Sequence, residues 1–343
     1  MKKLILFSML TTLIIGVISI PLEAIAKDVY EFTISVETAP DRERNRGIQI
    51  FINELEEKSN GRFKAKFFQS AQLYKGKDIL KALTLGTVEM GVPGVWWLDK
   101  INPNAALTAL PMFYAQPPEV TEKLVDGEFG KELADSIEKK MNVVIPGKWY
   151  ELGYVHLHTT KKEIKTLNDL KDLKIRYFGS PANSSRLQAL GANPIPVPWP
   201  DMSMALMRGT VDGLITSYSA MYGAKLVDAG IKYSVMDRQY FLHYVPMCSK
   251  KFWDALPTDL QILFTEVWNR SVPKQRAIAR ELQKKGELAI EQLLKKKGGK
   301  IFRPSDETLA KWREHIMPTQ AKLVKKLNID PNLVETAKKM LGM

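Results

Sequence analysis

Short β-branched or aromatic segments alternate along the chain with segments in which apolar residues recur every three or four positions. The first pattern predicts strands and the second predicts helices. In the first part of the chain they give the order strand, helix, strand, helix, strand over these segments: 29–36, 48–59, 63–68, 76–85 and 88–92. That order is typical of a lobe built on a largely parallel sheet.

The alternation between strands and helices is repeated in the middle part of the chain. A helical region interrupted near Gly127 comes first, and apolar strands then flank Gly153, where we expect the chain to cross to a second lobe. The later strands and helices are predicted at these segments: 173–178, 180–190, 194–197, 201–208 and 213–217. The pattern therefore predicts an α/β fold with two lobes and parallel or mixed sheets.

The last third of the chain links the two predicted lobes. Phe241–Met247 is expected to return to the first lobe, and Asp259–Lys297 is predicted to be an almost continuous helix. At 1.5 Å per residue such a helix is nearly 60 Å long, roughly enough to run along both lobes as a spine. Pro273 is expected to kink or split it. We assign 27–151 with 241–280 to lobe I and 152–240 with 281–343 to lobe II.

The N-terminus has the order of a secretory leader. Lys2 and Lys3 precede the apolar run Leu4–Ile20, and Ala24-Ile25-Ala26 is a small-x-small cleavage site. Residues 1–26 are therefore predicted to be a signal peptide cleaved after Ala26, which places the mature protein in the periplasm. A retained membrane anchor is the alternative, but no basic stop-transfer flank follows the apolar run.

Charge and cysteine content narrow the range of partners. The formal net charge is +12, and much of it comes from lysine pairs on predicted C-terminal helices, where such runs are usually solvated. Because no basic-aromatic motif is present, nucleic acid is not an expected partner. Cys248 is the only cysteine and lies in an apolar strand, so we expect neither a disulfide nor a nucleophilic role.

Several common catalytic motifs are absent from the sequence. It contains no phosphate-binding Gly-x-x-x-x-Gly-Lys, no Gly-x-Ser-x-Gly and no His-Glu-x-x-His. His156 and His158 are two residues apart on a predicted strand and share a face, which would allow a metal ion between them. No acidic or cysteine partner lies nearby in sequence, so we expect half-exposed strand histidines and no metal or cofactor.

Three consecutive segments carry a family resemblance. They are Asp169–Arg176 (DLKDLKIR), Gly191–Trp199 (GANPIPVPW) and Ala205–Gly213 (ALMRGTVDG). Together with first-lobe segments such as Leu85–Met90 (LGTVEM) and Leu110–Tyr114 (LPMFY), they resemble the solute receptors of tripartite ATP-independent periplasmic (TRAP) transporters, the DctP family. The segments occur in the family's order, so the resemblance covers nearly all of the predicted mature chain.

The resemblance implies a receptor and not an enzyme. Its two α/β lobes are expected to be joined by crossing strands and a long spine helix, with a small organic acid buried between them and passed to a sodium-driven permease. Arg176 matches the family's arginine that pairs with the ligand carboxylate. Strand alternation independently separates Arg176 from Ile175 and Tyr177, and the carboxyl end of a strand is where open α/β sheets bind ligands. A guanidinium binds a carboxylate through two parallel hydrogen bonds. A surface or interlobe ion pair is the alternative role.

Aromatic and hydroxyl side chains complete the predicted site. The resemblance places Trp199 at an aromatic wall and Thr216 where many relatives carry an asparagine, although both also suit a buried packing role. Trp96 and Trp97 follow a Gly-Val-Pro-Gly turn at the expected edge of the first lobe. Two weaker candidates are Tyr150 and Tyr218.

One departure from the family pattern bears on the ligand. Many relatives have Gly-Phe-Arg after the crossover, whereas this chain has Gly153-Tyr154-Val155, and Val155 cannot pair with a charge. We therefore expect one essential carboxylate with an apolar or aromatic remainder. A C4-dicarboxylate stays open, because a lysine or His156 can supply the missing donor.

Other functions also stay open at this point. The chain could serve a sensor kinase or an ATP-driven importer, or act as a periplasmic enzyme on an organic acid. The sequence does not define the oligomeric state, for which a monomer is the expectation.

Overall fold

The computed structural model describes residues 28–343, so the predicted leader and its cleavage site lie outside the described residues. The strands, in chain order, are β1 (Tyr30–Ser35), β2 (Phe63–Phe68), β3 (Met90–Gly91), β4 (Val143–Val144), β5 (Tyr150–Thr159), β6 (Lys174–Tyr177), β7 (Asn193–Pro196), β8 (Gly213–Thr216), β9 (Tyr233–Tyr244), β10 (Met247–Ser249) and β11 (Lys300–Phe302). Most of the predicted strands are present within one or two residues.

Helices connect the strands and follow them at the C-terminus. They are α1 (Glu43–Lys58), α2 (Asp78–Leu85), α3 (Pro118–Val125), α4 (Glu128–Met141), α5 (Pro181–Ala189), α6 (Met202–Met207), α7 (Tyr218–Gly223), α8 (Lys250–Ala255), α9 (Thr258–Lys296), α10 (Asp306–Ile316), α11 (Gln320–Leu327) and α12 (Pro331–Met340). Within residues 28–343, no helix combines the length and apolar character that a membrane span requires.

The first lobe is built on a mixed sheet with strand order β2-β1-β3-β10-β4. β1 pairs in parallel with β2 and β3, whereas β10 runs antiparallel to β3 and β4. Aromatic residues form much of its core: the ring of Phe264 lies 4.9 Å from Phe51 and 6.0 Å from Phe32. Cys248 of β10 is buried in this sheet, and burial raises the pKa of its thiol.

The second lobe has the strand order β11-β9-β5-β8-β6-β7. Its β6 lies between the parallel neighbours β7 and β8. The turn after the carboxyl end of β6 contacts the first lobe, since a Cβ on Gly179 would lie 1.7 Å from Cζ3 of Trp97. The long antiparallel pair β5 and β9 extends to the first lobe, where Tyr244 bridges Gly94 and the Val245 amide donates to the Pro93 carbonyl at 2.8 Å. These are the predicted crossing strands, and the two-lobed α/β fold is confirmed.

The strands predicted on either side of Gly153 are not divided at that residue, because β5 (Tyr150–Thr159) runs through it as a single strand. The pairing of β5 with β9 shifts register between Glu151 and Gly153, and Gly153 has a φ of +96°. The strand continues because α9 packs directly on this irregular segment. A Cβ on Gly153 would lie 2.9 Å from Nε2 of Gln283.

The spine helix α9 is continuous over 39 residues and contacts both lobes. Trp268 lies 5.2 Å from Phe51 of α1, and Gly286 packs on the backbone of α7. The predicted split at Pro273 does not occur. Trp268, Val272 and Gln275 around the proline are buried, and tertiary packing of this kind stabilises a helix despite one lost backbone hydrogen bond.

The C-terminal helices pack on residues from both predicted lobes. Nη1 of Arg313 in α10 donates to the Tyr114 carbonyl at 3.1 Å, and Nζ of Lys326 in α11 donates to Ser185 Oγ at 3.0 Å. These contacts connect the end of the chain both to the segment that follows β3 and to α5. The lobe boundaries given above stay a prediction.

Candidate functional site

A cavity of about 440 Å³ lies between the two lobes. The carboxyl ends of β1 and β6 open into it, and the crossing strands β5 and β9 close its inner side with Leu152, Val155 and Tyr244. Ligand pockets of proteins have volumes of about 300–1,000 Å³. The cavity is therefore large enough for a small organic molecule.

Arg176 at the end of β6 is a buried cation in this cavity, with only 2% of its surface exposed. Its Nε donates to the Val197 carbonyl at 2.9 Å, which fixes the plane of the guanidinium. Its Nη1 is buried and has no hydrogen-bond partner among the described residues. Burial lowers the pKa of Arg176 to about 10, so the group stays charged at neutral pH. The side chain is held in place with donor capacity left over for an anion.

Aromatic rings surround the Arg176 guanidinium. Its Cζ lies 5.5 Å from the ring of Trp199 and 5.4 Å from that of Phe178. Trp96 and Trp97 line the cavity from the first lobe, and the Trp96 ring lies 4.8 Å from Phe178. The structure thus brings together Arg176 with the three predicted tryptophans.

Thr216 also lines the cavity, from the end of β8, but the two predicted tyrosines do not. The Tyr150 ring stacks on Trp268 of the spine helix at 4.2 Å, and its hydroxyl pairs with Ser271. The Tyr218 hydroxyl pairs with Ser234 at 2.8 Å. Both hydroxyl groups are therefore engaged inside the protein, and both rings belong to its interior.

The two strand histidines are buried rather than half-exposed as expected. Both ring nitrogens of His158 are occupied, by Ser234 Oγ at 2.9 Å and by the Thr216 carbonyl at 3.1 Å. His156 accepts from the Arg238 amide at 3.2 Å and is not part of the cavity wall. Burial lowers the pKa of both histidines, that of His158 to about 4. His156 is thus a neutral group outside the cavity. Within residues 28–343, no group of three potential metal ligands is present.

Arg42 is a cavity residue that was not predicted from the sequence. It precedes α1, and its Nη2 donates to Glu43 Oε1 at 2.8 Å, while its Nε and Nη1 are buried without a partner among the described residues. Burial lowers the pKa of Arg42, but the negative charge of Glu43, aided by Tyr244 and Asp41, outweighs burial and raises it overall. The sequence feature that could have identified Arg42 is its position in the loop after the carboxyl end of β1, because α/β sheets bind ligands at that end of their strands.

The cavity wall carries an excess of positive charge. Five cationic residues face two acidic ones, namely Arg42, Lys75, Lys77, Lys100 and Arg176 against Glu37 and Asp78. The three lysines are exposed and the two arginines are buried. Buried cations inside the cavity and exposed cations at its rim favour anionic molecules.

Comparison with known proteins agrees with this arrangement. The family model described as "Bacterial extracellular solute-binding protein, family 7" (DctP) matches residues 34–327. The chain is 27% identical over 297 residues to the C4-dicarboxylate-binding periplasmic protein DctP of Rhodobacter capsulatus, covering 85% of this chain and 86% of that protein.

Solved structures share the fold. A TRAP periplasmic solute-binding protein from Sulfurospirillum deleyianum, with bound succinate, superposes with a TM-score of 0.83 at 24% identity and covers 91% of this chain and 99% of its own. A TRAP periplasmic solute-binding protein from Ralstonia eutropha, with bound (S)-2-acetolactate, has a TM-score of 0.82 at 24% identity and the same coverage.

Proposed function

Because this chain belongs to family 7 of the bacterial extracellular solute-binding proteins, the DctP family, we propose that it captures a small organic acid between its lobes and delivers it to a TRAP-type sodium-coupled permease. Members of this family are binding proteins, and the chain is a receptor and not an enzyme. The observation that carries the proposed ligand class is Arg176, a buried and charged guanidinium with an unpartnered Nη1 at the wall of the interlobe cavity.

The preferred ligand is an acid with one essential carboxylate and an apolar or aromatic remainder. Val155 lines the cavity where many relatives carry a second arginine, and Leu152, Trp96 and Trp199 add further apolar surface. With about 30 Å³ for each water-sized group, the cavity holds about 15 such groups. That volume exceeds what a short dicarboxylate chain requires and leaves room for a ring.

A C4-dicarboxylate is the second candidate, and Arg42 is the observation that favours it. Arg42 supplies a second buried guanidinium from the first lobe, which a second carboxylate could engage. The relatives named C4-dicarboxylate-binding proteins agree with this alternative. Of the other donors considered above, His156 does not line the cavity, whereas Lys75, Lys77 and Lys100 do.

A thermal-shift screen followed by calorimetry tests the ligand class. Monocarboxylates, aromatic acids, 2-oxo acids and C4-dicarboxylates are screened first, and the strongest binders are then titrated into wild type, Arg176→Lys and Arg176→Gln. We expect the glutamine variant to bind about 100-fold more weakly or worse, because a buried carboxylate would lose its charged partner. Arg208→Gln is the control, since Arg208 is exposed and outside the cavity. Equal affinity of the Arg176 variants and wild type would refute the proposal.

Arg42→Gln separates the two candidate ligands. A dicarboxylate held by both arginines would lose affinity in both glutamine variants, whereas a monocarboxylate would depend mainly on Arg176. Melting temperatures of each variant are compared, because Arg42 also pairs with the buried Glu43.

The partner is tested separately from the ligand. Adjacent genes for a small and a large multi-span membrane subunit would support the TRAP permease, and sodium-dependent uptake into vesicles carrying those subunits should require the receptor. Adjacent genes for an ATPase or a sensor kinase would favour the other partners.

A further inference from the structure

A further arginine is buried in the second lobe, outside the cavity wall. Arg186 of α5 is only 1% exposed and does not line the cavity. Among the described residues, none of its three side-chain nitrogens has a hydrogen-bond partner, so no carboxylate is bonded to it. A buried charge without a bonded counter-charge is costly. Arg186 is therefore expected to lower the stability of the fold.

Two aromatic rings connect Arg186 to Arg176. The Cζ atom of Arg186 lies 3.5 Å from the centre of the Tyr240 ring. The Tyr240 ring is stacked on that of Phe178, with ring centres 6.4 Å apart and an angle of 29° between the planes. Phe178 lines the cavity, and the Cζ atom of Arg176 lies 5.4 Å from its ring. The two guanidinium groups thus bracket a pair of aromatic rings, one of which forms part of the cavity wall.

The charges of both arginines act on the Tyr240 hydroxyl. Burial raises the pKa of Tyr240, whereas the positive charge of Arg186 and then that of Arg176 lower it. The two guanidinium groups are therefore close enough for their electrostatic fields to overlap at this side chain.

The acidic residue of this region cancels only part of the charge. Burial raises the pKa of Asp237 to about 7, although the charge of Arg186 is among the effects that lower it. The Asp237 carboxylate accepts from Gln239 Nε2 at 2.8 Å and from the Leu157 amide at 3.1 Å, and not from Arg186. Near pH 7 such a group is only partly ionised. An anion bound at Arg176 would therefore be a further counter-charge for Arg186.

We infer that Arg186 is a positioning residue that strengthens the binding of an anion at Arg176 without touching it. Its charge attracts the anion across the aromatic pair, and its contact with Tyr240 holds Phe178 against the Arg176 guanidinium. This inference rests on the proposed function and adds to it a residue that lies outside the cavity. The costly buried charge then has a role in binding and not in folding.

Two substitutions separate the charge of Arg186 from its volume. Arg186→Met keeps a long unbranched side chain without a charge, and Arg186→Lys keeps a charge. We expect the methionine variant to melt about 2 °C or more above wild type, because an unpaired buried charge is removed. The same variant should bind acids about tenfold more weakly, and the lysine variant should bind them more tightly than the methionine variant.

Calorimetry uses phenylpyruvate, succinate and the tightest binder of the acid screen as probes. Arg208→Met is the control, since it removes one charge at an exposed position outside the cavity. It should leave the melting temperature and the affinity nearly unchanged.

Three results would overturn the inference. The first is an unchanged affinity in Arg186→Met, and the second is a lysine variant that binds no better than the methionine variant. The third is a methionine variant that melts below wild type and also binds more weakly, because that combination would assign Arg186 to folding alone.

A measurement on wild type covers the case in which a variant does not fold. With ¹⁵N-labelled arginine, the Nε–H signal of Arg186 should shift when the tightest binder is added, because a counter-charge enters its field. An unchanged signal would contradict the inference while Arg176-dependent binding persists. Failure of every screened acid to bind, or binding that is indifferent to Arg176, would instead refute the proposed function and this inference with it.

Discussion

Trp97 of the first lobe packs directly on Gly179 of the second. A Cβ on Gly179 would lie 1.7 Å from Cζ3 of the Trp97 indole, and a Cβ on Gly76 would lie 2.9 Å from its Cζ2. The indole is thus held between a loop of the first lobe and the turn that follows β6. Next to it, the Ser180 hydroxyl that caps α5 donates to the Asp99 carboxylate. The edge of the cavity is closed by these contacts between the lobes.

Gly179→Ala should weaken ligand binding by about tenfold or more. Its methyl group would displace the Trp97 indole and oppose the closed arrangement, and its φ of +47° adds backbone strain. Gly191→Ala is a matched control, since Gly191 has a φ of +92° but a Cβ added there would have no atom within 4 Å. Calorimetry on both variants separates closure from strain. Equal affinities in the two variants would show that the contact with Trp97 is not needed for binding.

One side chain of the spine helix α9 forms two hydrogen bonds with the backbone of β5. Gln275 accepts from the Glu151 amide at 2.8 Å and donates to the Glu151 carbonyl at 2.8 Å, beside the irregular pairing of β5. Gln275→Met should lower the free energy of unfolding by about 2–4 kcal/mol, because both backbone groups would stay buried without partners. Gln292→Met, at an exposed position of α9, should change it little. Urea unfolding measures both, and similar losses would contradict the prediction.

The elements of this fold were largely predictable, because each strand and helix has a local pattern. The exceptions lie where distant parts of the chain meet. Gly153 has the appearance of a strand break, yet Gln275 and Gln283 of α9 stabilise the strand through it. Pro273 has the appearance of a helix break, yet packing against both lobes keeps α9 continuous. Tertiary contacts override local signals at both positions.

The candidate site was predictable only where position along a strand was informative. Arg176 follows from the alternation within β6 and from the family resemblance. Arg42 lies in the charged run Asp41–Arg44, a pattern typical of a solvated helix start, and only the packing of α1 against the second lobe buries it. Tyr150 is a residue type that is common in binding sites, but its ring stacks on Trp268, more than 100 positions away in the chain.

Gly286 of the spine helix α9 packs closely on the backbone of α7 in the second lobe. A Cβ on Gly286 would lie 2.8 Å from the Ser219 nitrogen and from the Tyr218 carbonyl carbon and oxygen. Gly286→Ala should lower the free energy of unfolding by about 1–3 kcal/mol, since overpacking against a backbone outweighs the gain in helix propensity. Lys285→Ala, at the exposed neighbouring position, should be nearly neutral. Denaturant titration checks both, and a more stable Gly286→Ala variant would contradict the prediction.

Two buried carboxyl groups should make the stability of the protein depend on pH. Burial raises the pKa of Glu151 to about 7, although Arg280 Nε lies 3.1 Å from Oε2 and lowers it, and burial raises that of Asp237 to about 7. A carboxyl whose pKa is higher in the folded state binds its proton more tightly there. Its contribution is therefore full below the unfolded-state pKa of about 4.3 for glutamate and is lost as the pH rises through about 7.

Glu151→Gln isolates one of these groups, because glutamine resembles the protonated acid. The variant should be only slightly more stable than wild type near pH 5, and its advantage should grow as the pH rises to 8. The comparison is made as a difference between the two proteins at each pH, since the buried histidines His156, His158 and His243 have lowered pKa values and act on both alike at acidic pH. Urea unfolding from pH 5 to 8 gives this difference. A difference that stays constant over that range, or that favours wild type at pH 8, would mean that Glu151 is ionised in the fold and stabilised by Arg280.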